Sequence, residues 1–169
     1  MKAIIFLCYN LIGDNMKIIY VHHADRKRDK SVPRQEQDIT EDGIIDANLV
    51  GKKLSRIKVK SIYTSNYLRC VHTANILNEY LNTNIIEEDF LNEMESYETL
   101  KELQIRTMNG LDKIISENDS DDVIICVTSG VNLTGFVSYF SKLEPSNSNP
   151  LVQGITCSPV LFSTDNTCF

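Results

Sequence analysis

Hydrophobic and polar positions alternate along the chain in blocks that read as strands and helices. Ile18-Ile19-Tyr20-Val21 is a short run of β-formers with no polar face, as in a strand buried on both sides. Residues 25–39 are polar, charged and contain Pro33, which marks a loop. Thr40 then offers a hydroxyl as helix cap, with Glu41 and Asp42 in the first turn, where the helix dipole favours them. Ile44, Ala47, Leu49, Val50 and Leu54 follow at helical spacing, so a helix is predicted over about 40–56.

The alternation continues. Residues 61–64 form a short strand, and Ser65-Asn66 is expected to cap a helix carrying Leu68, Val71, Ile76 and Leu77 inward. A weak strand at 84–86 follows, then a helix from 97 to about 116 with Leu100, Leu103, Met108, Leu111 and Ile114 in one stripe. Residues 122–127 are the clearest buried strand, 128–130 a turn, and 131–143 a further helix. A polar loop with two prolines leads to a last strand near 155–162. Strands alternating with helices predict an α/β domain, a three-layer sandwich around a central, mostly parallel sheet.

The 169 residues suffice for one domain. Met16-Lys17 opens a fresh strand pattern, so residues 1–15 read as an N-terminal extension and 16–169 as the single domain. The net charge of −6 and the lack of a long basic stripe disfavour nucleic acid as a partner. No apolar run approaches the ~18 residues that span a bilayer, so no membrane association is expected. Five scattered cysteines without CxxC spacing give neither a disulfide framework nor a metal site, which fits a reducing cytoplasm.

In parallel sheets, sites gather where strands end. His22-His23 and Thr128-Ser129-Gly130 both fall at strand ends, and Arg69 lies one helical turn beyond another. A neutral imidazole at such an edge can attack a phosphoryl group and carry it as phosphohistidine. A planar guanidinium then neutralises the equatorial oxygens, and a carboxylic acid protonates the leaving oxygen. His23, Arg69 and Glu93 supply these three groups, and the small Ala24 lets the backbone approach the phosphate. The other reading of each residue is structural. His23 packs at a strand end, Glu93 is one more solvated carboxylate in an acidic stretch, and Arg26, Lys27, Arg28 and Lys30 form a solvated loop.

The segment KIIYVHHAD (17–25) resembles the first motif of the histidine phosphatase superfamily, the phosphoglycerate mutase-like proteins. DITEDGIIDANLVGKKL (38–54) and IYTSNYLRCVHTA (62–74) resemble the family's next two segments. LNE (91–93) resembles the one that carries its proton donor, and VIICVTSG (123–130) the strand before its second histidine. The resemblance implies a phosphoglycerate mutase-like α/β fold. It implies a phosphatase that hydrolyses phosphomonoesters through phosphohistidine at His23, with Arg69 binding phosphate, Glu93 donating the proton, and no metal or cofactor. The expected partner is a phosphorylated small molecule or a phosphoprotein.

Two positions depart from the family pattern. The arginine before the nucleophile is His22, and the second histidine is Ser129. His22, Ser129 and Arg26 are the candidates to complete the phosphate site. With that site impaired, the alternative is a catalytically degenerate protein that binds a phospho-ligand or a partner.

Overall fold

The computed structural model describes residues 6–10, 16–133 and 136. A five-stranded sheet runs in the order β1-β2-β5-β3-β4, built from β1 (Phe6–Asn10), β2 (Lys17–His22), β3 (Ser61–Thr64), β4 (Asn84–Glu87) and β5 (Val123–Thr128). β2, β5, β3 and β4 are mutually parallel, and β1 pairs antiparallel with β2 at one edge. β1 lies within the segment expected to be an extension.

Helices cover both faces of the sheet, which is why its central strands read as continuous apolar runs. Side chains of a strand alternate between faces. On one face Ile19, Val21, Ile62, Ile125 and Val127 pack against α1 (Glu41–Leu54) and α2 (Leu68–Leu81) through Ala47, Leu54, Ala74 and Leu77. On the other, Ile18, Tyr20, Tyr63, Ile124 and Cys126 pack with Leu111 and Ile114 of α3 (Leu100–Glu117) and with Phe136. The result is the expected three-layer α/β domain.

β2, β3, β4, β5 and α1 agree closely with their periodicity, while β1 was not expected as a strand. Thr40 caps α1, accepting the Gly43 N–H at 3.0 Å. Two helix starts differ. α2 has Tyr67 as its N-cap, with no side-chain cap bond. The Ser65 hydroxyl instead accepts the Tyr67 N–H at 3.2 Å within the turn and donates to Asn92 at 2.7 Å. α3 begins at Leu100, because Thr99 and Glu102 form a reciprocal capping box. Tyr97, read as helical, is 85% exposed outside it. Residues 130–133 begin the helix expected after β5, and the strand near 155–162 lies outside the described residues.

The loop after β2 is held in a defined shape. Arg26 bridges Ile39 in antiparallel fashion, and the Lys27 N–H donates to Asp38 O at 2.7 Å. The Thr40 N–H and hydroxyl both reach Asp25 O. α1 approaches this loop so closely that a Cβ on Gly43 would stand 2.7 Å from Asp25 O, so a side chain there would push the loop away. Residues 26–38 therefore form a lobe folded back over the C-terminal edge of the sheet.

Candidate active site

β2 ends at His22, whose register partner is Thr128, and the His23 N–H extends the ladder to Thr128 O at 2.9 Å. The His23 ring is buried, 8% exposed. Its Nδ1 stands 2.7 Å from Ala24 O. A carbonyl only accepts, so Nδ1 carries the proton and Nε2 keeps its lone pair. That lone pair accepts from Arg69 Nε at 3.2 Å. Burial, then the neighbouring His22, push the His23 imidazole well below its ordinary range. The ring is therefore a neutral base at physiological pH.

Arg69 is the largest fully buried side chain, at 0% exposure. A guanidinium out of water needs every donor occupied. Beyond Nε, its Nη1 donates to Arg34 O at 2.7 Å and its Nη2 to the carboxylate of Glu93. The ring of Tyr67 lies 4.8 Å from its central carbon, within cation–π range. Four residues on, along the same face of α2, Thr73 Oγ1 accepts the Ala24 N–H at 3.0 Å. One helix face thus fixes both the His23 ring and the backbone that follows it. The Ala24 N–H thus belongs to Thr73.

Glu93 is clasped from two sides. Arg69 Nη2 and Arg34 Nη2 both pair with its carboxylate, and Arg34 Nε donates to it at 3.2 Å. The backbone leading to it is tied from three directions. Arg106 of α3 donates to Asp89 O at 3.0 Å, Phe90 O at 2.9 Å and Asn92 O at 3.3 Å. Thr128 donates to Leu91 O at 2.6 Å, and Asn132 to Phe90 O at 3.0 Å. Arg106 is in turn held by Glu98, through Nε and Nη2 both at 2.8 Å. Ends of β3 and β5, α3 and the helix after β5 thus converge to set one carboxylate against Arg69.

The remaining candidates divide. His22 lies beside His23, ring centroids 4.3 Å apart, with Nδ1 donating to His23 O at 2.7 Å. Burial pushes its imidazole below the ordinary value, so without a ligand it brings no positive charge at neutral pH. Arg26 donates to Gln37 at 3.1 Å and lies in the electrostatic field of Arg69 and Glu93. Ser129 is buried at the same sheet edge. Its hydroxyl accepts the Asn132 N–H at 3.4 Å and its carbonyl the Leu133 N–H, the bonds of a helix cap.

Sequence reasoning missed Arg34. It sits in the loop, where no period assigns a facing, and lies beyond the basic cluster of Arg26, Lys27, Arg28 and Lys30. Thr73, Asn132 and Arg106 also escaped notice, since helical spacing marks apolar contacts and not hydrogen bonds to distant carbonyls. Among the described residues no three His, Cys, Asp or Glu side chains are grouped as a metal ion requires. Nor is any helix there long and apolar enough to cross a membrane.

Fold and site together define an α/β protein with a histidine–guanidinium–carboxylate cluster at the C-terminal edge of a parallel sheet. The model of the histidine phosphatase superfamily, branch 1, matches residues 22–97, which include His23, Arg69 and Glu93. Over those residues the chain is similar to the histidine phosphatase superfamily.

Solved structures share the phosphoglycerate mutase-like fold. YhfR of Bacillus stearothermophilus superposes with a TM-score of 0.71 at 20% identity, covering 80% of this chain and 85% of that one. A mycobacterial glucosyl-3-phosphoglycerate phosphatase gives 0.65 at 12% identity, covering 85% and 81%. A phosphoserine phosphatase variant from Entamoeba histolytica, in complex with phosphoserine, gives 0.64 at 15% identity, covering 77% and 82%. At these identities the likeness is one of fold. No curated protein matches the chain in sequence.

Proposed function

We propose that the protein is a phosphatase hydrolysing phosphomonoesters through a phosphohistidine at His23. The observation that carries this reading is the 3.2 Å contact between the His23 Nε2 lone pair and Arg69 Nε, with Glu93 on the same guanidinium. Nucleophile, charge clamp and carboxyl group share one cluster.

The reaction runs in two balanced steps. Nε2 attacks phosphorus, the ester P–O bond breaks, and protonated Glu93 gives its proton to the leaving oxygen. Water then attacks the phosphohistidine, the N–P bond breaks, and Glu93 takes the water's proton back. The phosphoryl oxygens take the guanidinium donors that Glu93 fills in the ligand-free state, which releases its carboxyl group for proton transfer.

The pattern lacks the family's first-motif arginine and second histidine. A lost transition-state charge contact typically costs ~3 kcal/mol, about 10²–10³ in rate. Arg34 supports compensation. Its guanidinium already grips an anion shared with Arg69, the task the absent arginine would serve. His22 and Arg26 are further candidates, His22 once a dianion draws a proton onto it. The substrate is a phosphorylated small molecule or phosphoprotein. Buried Cys70, its thiol pushed up to about 12 by burial, and buried Cys126 are free, which suits a reducing cytoplasm.

The test is release of phosphate from p-nitrophenyl phosphate. The expected outcome is turnover by the wild-type protein that His23→Ala abolishes. Equal rates in the two proteins would sink the reading. One observation favours a second: the Ser129 hydroxyl caps the following helix, and a neutral hydroxyl brings no charge where the family pattern has its second histidine. On that reading the protein binds a phospho-ligand without turnover, and orthovanadate would bind while hydrolysis stayed at background.

A further inference from the structure

The loop lobe beside the cradle carries an open surface pocket of about 540 Å³ lined by Arg26, Arg28, Lys30, Val32, Arg34 and Gln37, with Ser31 and Pro33 completing the wall. Residues 26–34 carry five of the chain's 17 Lys and Arg and one carboxylate, Asp29, in a protein of net charge −6. The Asp29 carboxylate is turned onto the Ser31 N–H at 2.8 Å and hydroxyl at 2.6 Å. Among the described residues no carboxylate pairs with Arg28 or Lys30. Arg26, Arg28 and Lys30 line the pocket beside Arg34, whose charge is shared with Glu93, and like charges placed together repel unless an anion enters.

The frame that holds them is built. Gln37 Nε2 donates to Asp29 O at 2.8 Å and Val32 O at 3.3 Å, and its Oε1 accepts from Arg26 at 3.1 Å. The pocket adjoins the cradle at Arg34, whose side chain meets Glu93 and whose carbonyl meets Arg69. Burial first, and then the guanidiniums of Arg69, Arg34 and Arg28, push Arg26 below its ordinary value, with the Glu93 carboxylate opposing them. The lining includes no aromatic ring on which a base could stack.

We propose that this pocket is a second anion subsite and that the substrate is a small molecule with two or more phosphates, one presented to His23 and another held by Arg26, Arg28 and Lys30. The proposal rests on the phosphatase reading for the first phosphate. A single phosphate fills only the cradle, whereas a linked pair engages both sets of guanidiniums at the cost of one association.

The experiment compares binding of inorganic triphosphate and inorganic phosphate to the full chain by calorimetry at matched ionic strength. Triphosphate is expected to bind at least tenfold more tightly. The double variant Arg28→Glu, Lys30→Glu is expected to erase that preference while phosphate affinity changes by less than about threefold. Equal affinities in the wild-type protein, or a preference that survives the double variant, overturn the proposal. Circular dichroism confirms that the variant is folded, and both charges lie on an exposed loop, so loss of fold is not expected. Hydrolysis of p-nitrophenyl phosphate is followed in parallel. Failure of the chemistry at His23 therefore reads out separately from failure of the subsite.

Discussion

Arg69 donates through Nε to the unprotonated Nε2 of His23, so guanidinium and nucleophilic lone pair face each other at 3.2 Å. The same guanidinium is fully buried and ion-paired to Glu93, so fold and site are coupled through one side chain. Replacing Arg69 leaves a poorly solvated carboxylate with only Arg34 to pair it. Breaking a buried pair from one side costs roughly 3 kcal/mol. Arg69→Met is therefore expected to lower unfolding stability by about that amount in urea titration. Adding Glu93→Gln should recover part of the loss, because the stranded charge goes with it. Additive losses in the double variant would show that the two side chains are not coupled.

On the proposed reading, Glu93, which pairs with both Arg69 and Arg34, competes with phosphate for them. Glu93→Gln removes the internal anion and the proton donor together, so binding and turnover should move in opposite directions. Orthovanadate is expected to bind more tightly to Glu93→Gln than to the wild-type protein. Hydrolysis of p-nitrophenyl phosphate should fall by about 10²–10⁴, the usual worth of a general acid. Weaker vanadate binding by the variant would show that Glu93 does not occupy the anion position.

Strand and helix positions were legible in the sequence because burial imposes a period on them. β3 was readable to the residue, and α1 to its cap at Thr40. His23, Arg69 and Glu93 were legible through motif spacing, and the structure brings the three together by hydrogen bonds. Arg34 was not, because a loop side chain takes its direction from tertiary contacts such as Arg69 on its carbonyl. The start of α3 was misplaced because Tyr97 and Leu100 suit a helical stripe, while the Thr99–Glu102 capping box decides where the helix can begin.

Burial depresses both His22 and His23, with a definite sign. In the unfolded chain each takes a proton near pH 6.5, while the fold resists it until lower pH. Their neutral form is therefore fully compatible with the fold above pH 6.5, and stability falls as pH drops below that value toward the folded-state pKa. The slope is up to about 1.4 kcal/mol per pH unit for each ring. Thermal unfolding between pH 7.5 and 5 should show this decline, reduced in His22→Gln. For the same reason the acid limb of kcat/KM set by His23 should lie below pH 6.5. A limb above 6.5 would contradict a desolvated nucleophile.

Thr73 is expected to matter beyond its size. Its hydroxyl accepts the buried Ala24 N–H at 3.0 Å while donating to Arg69 O at 2.6 Å. Thr73→Val keeps the shape and removes the acceptor, stranding a buried donor at a cost of about 1–3 kcal/mol. Thr73→Ser keeps the hydroxyl and should retain most of the stability. The comparison is made by urea unfolding, and equal losses in the two variants would assign the effect to packing.

Arg34 provides the sharpest test of the proposed compensation for the first-motif arginine. Its backbone carbonyl anchors Arg69, and its guanidinium grips Glu93. Arg34→Ala keeps the carbonyl and deletes the charge, so the Arg69 anchor survives and only the second guanidinium is lost. If that group stabilises the transferring phosphoryl, kcat should fall by about 10²–10³, the worth of one transition-state contact. Arg34→Lys should recover only part, because an ammonium cannot reproduce the planar fork. Arg34 is exposed, so stability should change little. Wild-type kcat in Arg34→Ala would mean that this guanidinium holds Glu93 in the resting state and takes no part in turnover.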